Sequence, residues 1–133
     1  MIAGERTTAY INSLDMGNTE LLNQIEKEAL ETYVPIIRRE TQSFLKTLLA
    51  VQKPKVILEV GTAIGFSALL MAEYSPSDTR ITTIEKYEKR IPIAKENFRR
   101  AGREDQITLL EGDAAEILKG LTGSYDPPGA LPL

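Results

Sequence analysis

Residues Val56–Ala68 read Val-Ile-Leu-Glu-Val-Gly-Thr-Ala-Ile-Gly-Phe-Ser-Ala. A short apolar run ends in an acidic residue, breaks at a glycine-bearing turn and resumes as the start of an amphipathic helix. This order severely limits the folds open to the chain. A nearly continuous apolar run is the mark of a strand buried on both faces, which is the habit of parallel sheets. The glycines let the backbone turn tightly after the strand and approach a ligand closely. A helix that begins there aims its first N–H groups at the mouth of the sheet, where a nucleotide-like ligand can sit.

The rest of the chain repeats that alternation. Arg80–Glu85 is rich in Ile and Thr and reads as a second strand. Tyr87–Ala101 reads as a helix, with Ile91, Ala94 and Phe98 on one side, Pro92 in its first turn and Gly102 as its stop. Gln106–Glu111 reads as a third strand and Ala114–Leu121 as a short helix. Strand and helix in short alternation predict an α/β fold with a parallel sheet and right-handed crossovers. Ahead of it lie three predicted helices. The first spans Arg6–Leu14. The second is capped by Asn18 or Thr19 and carries Leu21, Leu22, Ile25, Ala29 and Leu30 on one face. The third runs from Ile36 to Val51, with Ile37, Phe44, Leu45, Leu48 and Leu49 apolar.

Composition narrows the chemistry. The 133 residues argue for one domain. A net charge of −3 gives no electrostatic footprint for non-specific binding to nucleic acid or membrane, although a structured RNA remains open as a substrate. The chain contains neither cysteine nor histidine, which removes thiolate and imidazole catalysis and sulfur- or His-ligated metals. No apolar run approaches the length that spans a bilayer, and a cytoplasmic protein is expected.

The candidate site gathers at the strand ends. The dinucleotide fingerprint G-x-G-x-x-G would need glycine where the chain has Gly61, Ala63 and Phe66, so only the first position fits. A nicotinamide-dependent oxidoreductase is therefore disfavoured, though it stays an alternative. Glu85 ends the second strand about 20 residues beyond Gly65, where an acidic side chain accepts hydrogen bonds from ribose hydroxyls. Asp113 ends the third strand, after Gly112, in place to receive an adenine amino group. Each has a plainer reading as a solvated charge at a strand end. Together with Glu59 they converge on one edge of a parallel sheet, the expected ligand crevice.

These residues resemble a known family. Leu58–Ser67, Thr83-Ile-Glu85 and Glu111-Gly-Asp-Ala114 are similar to the S-adenosylmethionine motifs of metal-dependent O-methyltransferases of the catechol O-methyltransferase type. Val34–Thr41 resembles the segment that precedes the sheet in that family. The likeness extends to bacterial members that methylate 5-hydroxyuridine in tRNA, and it covers the chain from about Asn18 to Asp126. It implies a Rossmann-like class I methyltransferase fold and S-adenosyl-L-methionine as cofactor. It implies a hydroxyl of a small aromatic or of tRNA hydroxyuridine as methyl acceptor. By the same resemblance Ile37 touches the methionine end of the cofactor. Glu59, Gly61, Thr62, Ala63 and Gly65 bring strand end and turn to its amino-acid part, and Ser67 helps hold it. Glu85 binds the ribose; Asp113 and Ala114 meet the adenine. Taken alone, Ile37 also suits a core position, and Arg38 and Arg39 read as a solvated face.

The family continues after a Tyr-Asp pair with an apolar strand ending in a metal-binding aspartate, and an Asp-Asn pair follows later. Here Tyr125-Asp126 is followed by Pro127-Pro128, and proline lacks the ladder donor of a central strand. Residues 127–133 are expected to be irregular, leaving a sheet of about three strands with an open edge along Lys55–Val60. Each buried-type side chain uncovered there costs roughly 1.5–3 kcal/mol. The expectation is a single, incomplete methyltransferase domain: leading helices to residue 54, a cofactor-binding half over 55–126, and a tail. It is the N-terminal part of a truncated or frame-shifted frame, or else a short chain completed by a partner. The Mg ligands of the family are expected to be absent, and turnover with them. A non-catalytic cofactor-binding fragment or interaction module is the main alternative. The exposed sheet edge invites a homodimer.

Overall fold

The computed structural model describes residues 4–14, 17–121 and 130–132. Three helices come first: α1 (Glu5–Leu14), α2 (Glu20–Glu31) and α3 (Arg39–Gln52). The alternating half follows as β1 (Val56–Val60), α4 (Phe66–Glu73), β2 (Arg80–Glu85), α5 (Ile91–Arg100), β3 (Ile107–Glu111) and α6 (Ala114–Gly120), and β4 (Ala130–Pro132) closes the described chain. The sheet is parallel, in the order β3-β2-β1-β4.

Thr19 caps α2 by accepting the Leu22 N–H at 3.3 Å. Leu22, Ile25 and Ala29 bury the inner face of α2, whereas Leu30 stands exposed, contrary to the sequence reading. The third helix also differs from expectation: it begins at Arg39, and residues 34–38 are not helical. Its buried stripe is Gln42, Leu45 and Leu49, while Phe44 points outward. The amide of Gln42 explains the later start. Its Nε2 donates to the Ile37 carbonyl at 2.9 Å and to Glu26 at 3.0 Å, tying the segment before α3 to the side of α2.

α4 is buried on nearly all sides: Phe66, Ala68, Leu69, Leu70, Met71 and Ala72 all lie in the core. The sheet covers it on one side, and α2 and α3 also contact it. β2 is the innermost described strand, with Ile81–Glu85 all buried. The expected open edge of β1 is corrected in part. Ala130, Leu131 and Pro132 pair in parallel with Val56, Ile57 and Leu58. Proline is tolerated there because β4 is an edge strand, where half the ladder groups need no partner. The expected irregular tail is thus a short strand at these three residues. Tyr125-Asp126 and Pro127-Pro128 lie outside the described residues.

Candidate functional site

The turn between β1 and α4 carries the candidate site. Gly61 and Gly65 both have φ of +91° and Ala63 has +50°, a left-handed path that glycine makes affordable at two of three places. Gly61 and Thr62 donate backbone N–H to the Ile84 carbonyl at 2.8 and 3.2 Å, so the turn is tied to β2 as it leaves the sheet. An added Cβ at Gly65 would lie 2.6 Å from Cε1 of Phe98, whereas at Gly61 it would meet open space. Gly65 is therefore required by packing and Gly61 by backbone conformation beside a cavity.

Two hollows flank the turn and share Gly61. One, of about 240 Å³, is lined by Pro35, Ile36, Ile37, Gly61, Thr62, Ala63, Phe66 and Ser67. The other, of about 280 Å³, includes Val60, Gly61, Glu85, Lys86, Gly112, Asp113 and Ala114 in its lining. The structure thus divides the residues picked from sequence into two groups. Ile37, Gly61, Thr62, Ala63 and Ser67 border the first hollow; Gly61, Glu85, Asp113 and Ala114 border the second. Glu59 and Gly65 line neither: Glu59 sits beneath the turn, and Gly65 closes the turn against Phe98.

The three acids differ sharply in their surroundings. Glu85 is almost fully buried. Its Oε1 accepts the Ala63 N–H at 2.8 Å, and its Oε2 accepts the N–H groups of Lys86 and Tyr87, both at 3.1 Å. Asp113 is exposed and caps α6, taking the N–H groups of Ala115 at 2.9 Å and Glu116 at 3.3 Å on Oδ1. Glu59 lies between β1, β2 and α4. Its Oε2 accepts from Ser67 and its Oε1 accepts from Thr83 at 2.7 Å, and the Thr83 hydroxyl is 2.7 Å from that of Thr62. Burial pushes the Glu59 carboxyl up to about 7; the Ser67 and Thr83 hydroxyls pull it down and the nearby charge of Glu85 pushes it up further.

Sequence reasoning missed the supports of the turn. Asn97, buried on α5, donates its Nδ2 to the Ile64 carbonyl at 2.8 Å, and its Oδ1 accepts from Arg100 at 2.9 Å. Arg100 pairs with Glu28 of α2 at 3.3 Å. The available signal was an amide in register with Ala94 and Phe98 on an apolar helix face; Gln42, in register with Leu45 and Leu49, gives the same signal. Arg38 and Arg39 are exposed and paired with Glu40 at 2.8 Å and Glu26 at 3.3 Å, in line with a solvated face.

A family model described as O-methyltransferase matches residues 11–128. The chain belongs to the O-methyltransferase family. Within that family it is similar to a catechol O-methyltransferase of Niastella koreensis, 37% identical over 78 residues, which make up 59% of this chain and 35% of that protein. It is also similar to a catechol O-methyltransferase of Mycobacterium tuberculosis, 32% identical over 117 residues, 86% of this chain and 53% of that protein. Among solved structures, the SAH-bound methyltransferase of Podospora anserina superposes with a TM-score of 0.78 at 29% identity, covering 92% of this chain and 56% of that one. The chain spans about half the length, or less, of the curated relatives it matches. The α/β parallel sheet read from the strand–helix alternation, and the Rossmann-like methyltransferase fold implied by the resemblance, are therefore the fold observed.

The described residues do not fit a divalent metal. Among the described residues, no three Asp or Glu side chains cluster to hold an ion. Glu59 is committed to hydroxyls, Glu85 to three backbone N–H groups, and Asp113 to a helix cap. No helix among the described residues is long and apolar enough to cross a membrane.

Proposed function

We propose that this chain binds S-adenosyl-L-methionine and is the cofactor-holding half of an O-methyltransferase acting on a hydroxyl of a small aromatic or of tRNA hydroxyuridine. The observation that carries the reading is the pair of hollows meeting at Gly61, one lined by Ile37, the residues of the turn and Ser67, the other by the buried Glu85 together with Asp113 and Ala114. A ligand with an amino-acid end and a nucleoside end matches that division. In this reading Ile37, the turn Gly61–Gly65 and Ser67 receive the amino-acid end. Glu85 receives the ribose on the acceptor capacity its three N–H partners leave unused, since a carboxylate offers about four lone-pair sites. Asp113 and Ala114 border the adenine.

When bound, the sulfonium supplies an electrophilic methyl group for displacement by a hydroxyl oxygen. The residues described here bind and orient, which is how a scaffold lowers the barrier of a direct displacement. None of them is assigned a proton-transfer step or a metal. The reading also includes no turnover by this chain, a cytoplasmic location, and self-association through the β1 edge, along which β4 pairs over three described residues. Methyl transfer from labelled cofactor to catechol or to tRNA, with and without magnesium, tests it. Cofactor binding without transfer agrees with the proposal; magnesium-stimulated transfer by this chain contradicts the inactivity.

A further inference from the structure

A third hollow, of about 230 Å³, lies between the first turn of α2, the second half of α4 and the end of α5, and its lining is separate from that of the two hollows at the turn. Leu21, Leu22, Leu69 and Ala101 make part of that lining apolar. Two arginines also border it, and they are not equivalent. Arg103 is committed: its Nη2 donates to Glu73 at 2.7 Å and its Nη1 to Gln106 at 3.1 Å. The hydrogen bonds of Arg100 to described residues all leave from Nη1, to Asn97 at 2.9 Å and to Glu28 at 3.3 and 3.5 Å. Its Nε and Nη2 donors have no acceptor among the described residues. A guanidinium is a flat fork of five donors, and its edge matches a carboxylate. Thr19, on the same lining, accepts the Leu22 N–H on its hydroxyl oxygen and keeps the hydroxyl proton to donate.

We infer that this hollow is a second binding site, for a small carboxylate carrying an apolar tail, and that its occupancy is passed to the β1–α4 turn through Arg100 and Asn97. The carboxylate takes the unused edge of Arg100 and the Thr19 proton, and the tail lies on the leucines. Glu28 is a weak competitor, because its contacts with Arg100 are long and its side chain is 40% exposed, free to turn into water. The link to the turn is short. Asn97 is buried, with Oδ1 on Arg100 and Nδ2 on the Ile64 carbonyl at 2.8 Å. The guanidinium therefore cannot be re-aimed without disturbing the amide that holds the turn. The inference goes beyond the cofactor reading and stands without it.

Titration of the full chain with three probes at about pH 7, where a carboxylic acid is ionised, tests the site. Hexanoate has charge and tail, hexanol the tail alone, and inorganic phosphate the charge alone. Hexanoate should bind saturably, and the other two at least about fivefold more weakly. Arg100→Gln should abolish hexanoate binding. Glu28→Gln, which removes the internal competitor, should tighten it about two- to fivefold, the worth of a partly exposed ion pair; it keeps the test valid if Arg100→Gln fails to fold. The link is read by NMR: hexanoate should shift the Asn97 side-chain amide and the backbone amides of Ile64 and Gly65. In Asn97→Ala it should still bind but no longer move the two backbone signals. Hexanoate and S-adenosylhomocysteine (SAH) should also change each other's affinity by one common factor. No saturable hexanoate binding, equal binding of hexanol or phosphate, or no response to Glu28→Gln overturns the site. Binding that leaves the Ile64 and Gly65 signals unmoved overturns the link. Failure of SAH to bind while hexanoate moves those signals overturns the cofactor reading and supports this inference.

Discussion

The carboxylate of Glu85 accepts the backbone N–H of Ala63 at 2.8 Å, so the last residue of β2 holds the turn that follows β1. One side chain thus shapes the turn and faces the hollow beside it. The second role depends on the first, because the turn's left-handed path is fixed partly from Glu85.

Replacing Glu85 by Gln should therefore damage binding and stability together. The amide presents donors to N–H groups that are themselves donors, leaving at least one of them unsatisfied at a cost of about 1–3 kcal/mol. Adenosine affinity should fall roughly 10–100-fold and the melting temperature should drop. Calorimetry and thermal melts read the two effects; loss of one without the other would separate the roles joined here.

The two glycines of the turn should respond unequally to alanine. Gly61→Ala meets open space and carries only the strain of φ +91°, about 1–2 kcal/mol. Gly65→Ala adds a Cβ only 2.6 Å from the ring of Phe98, which is itself locked in the core, and should cost about 1–3 kcal/mol more. Adding Phe98→Leu to Gly65→Ala should recover part of that excess. Denaturant melts decide it.

Asn97→Ala should weaken the site from a distance. It strips the buried Ile64 carbonyl of its donor and Arg100 of an acceptor, a loss of about 1–3 kcal/mol. SAH affinity should fall with it, because the turn loses its tie to α5. Unchanged affinity in a destabilised variant would show that Asn97 serves the fold alone.

Glu59 predicts a pH signature in stability. Its folded value of about 7 lies above the ordinary 4.5, so the folded state holds the proton more tightly than the unfolded state. Stability from this group is therefore greatest below the ordinary value, falls as pH rises between the two, and levels off above about 7. The full difference is roughly 3 kcal/mol. Glu59→Gln, which never ionises, should match the wild type in acid and exceed it in melting temperature at mildly alkaline pH. A variant less stable at every pH would contradict this.

The sheet was legible because its signals are local. Val56–Val60 and Arg80–Glu85 announce themselves by apolar and β-branched runs, and Gly61, Gly65 and Gly102 mark turns at left-handed backbone positions. What escaped was set by distant partners. The start of α3 was read too early because Ile36 and Ile37 continue the apolar spacing; the amide of Gln42 instead holds that segment off the helix. β4 departs from the expectation of an irregular tail because the prolines of that tail argue against a central strand, whereas β4 lies at an edge. The acids at the strand ends were visible, but not their division of labour. Only the neighbours of Glu59, from Thr62 to Thr83, show that its carboxyl lies beneath the turn, bonded to Ser67 and Thr83.

Titration of the 133-residue chain with SAH and, separately, with NAD tests the central claim most directly. Saturable one-site heat with SAH, displaced by adenosine and absent with NAD, is the predicted result. Saturable heat with NAD and none with SAH would contradict it.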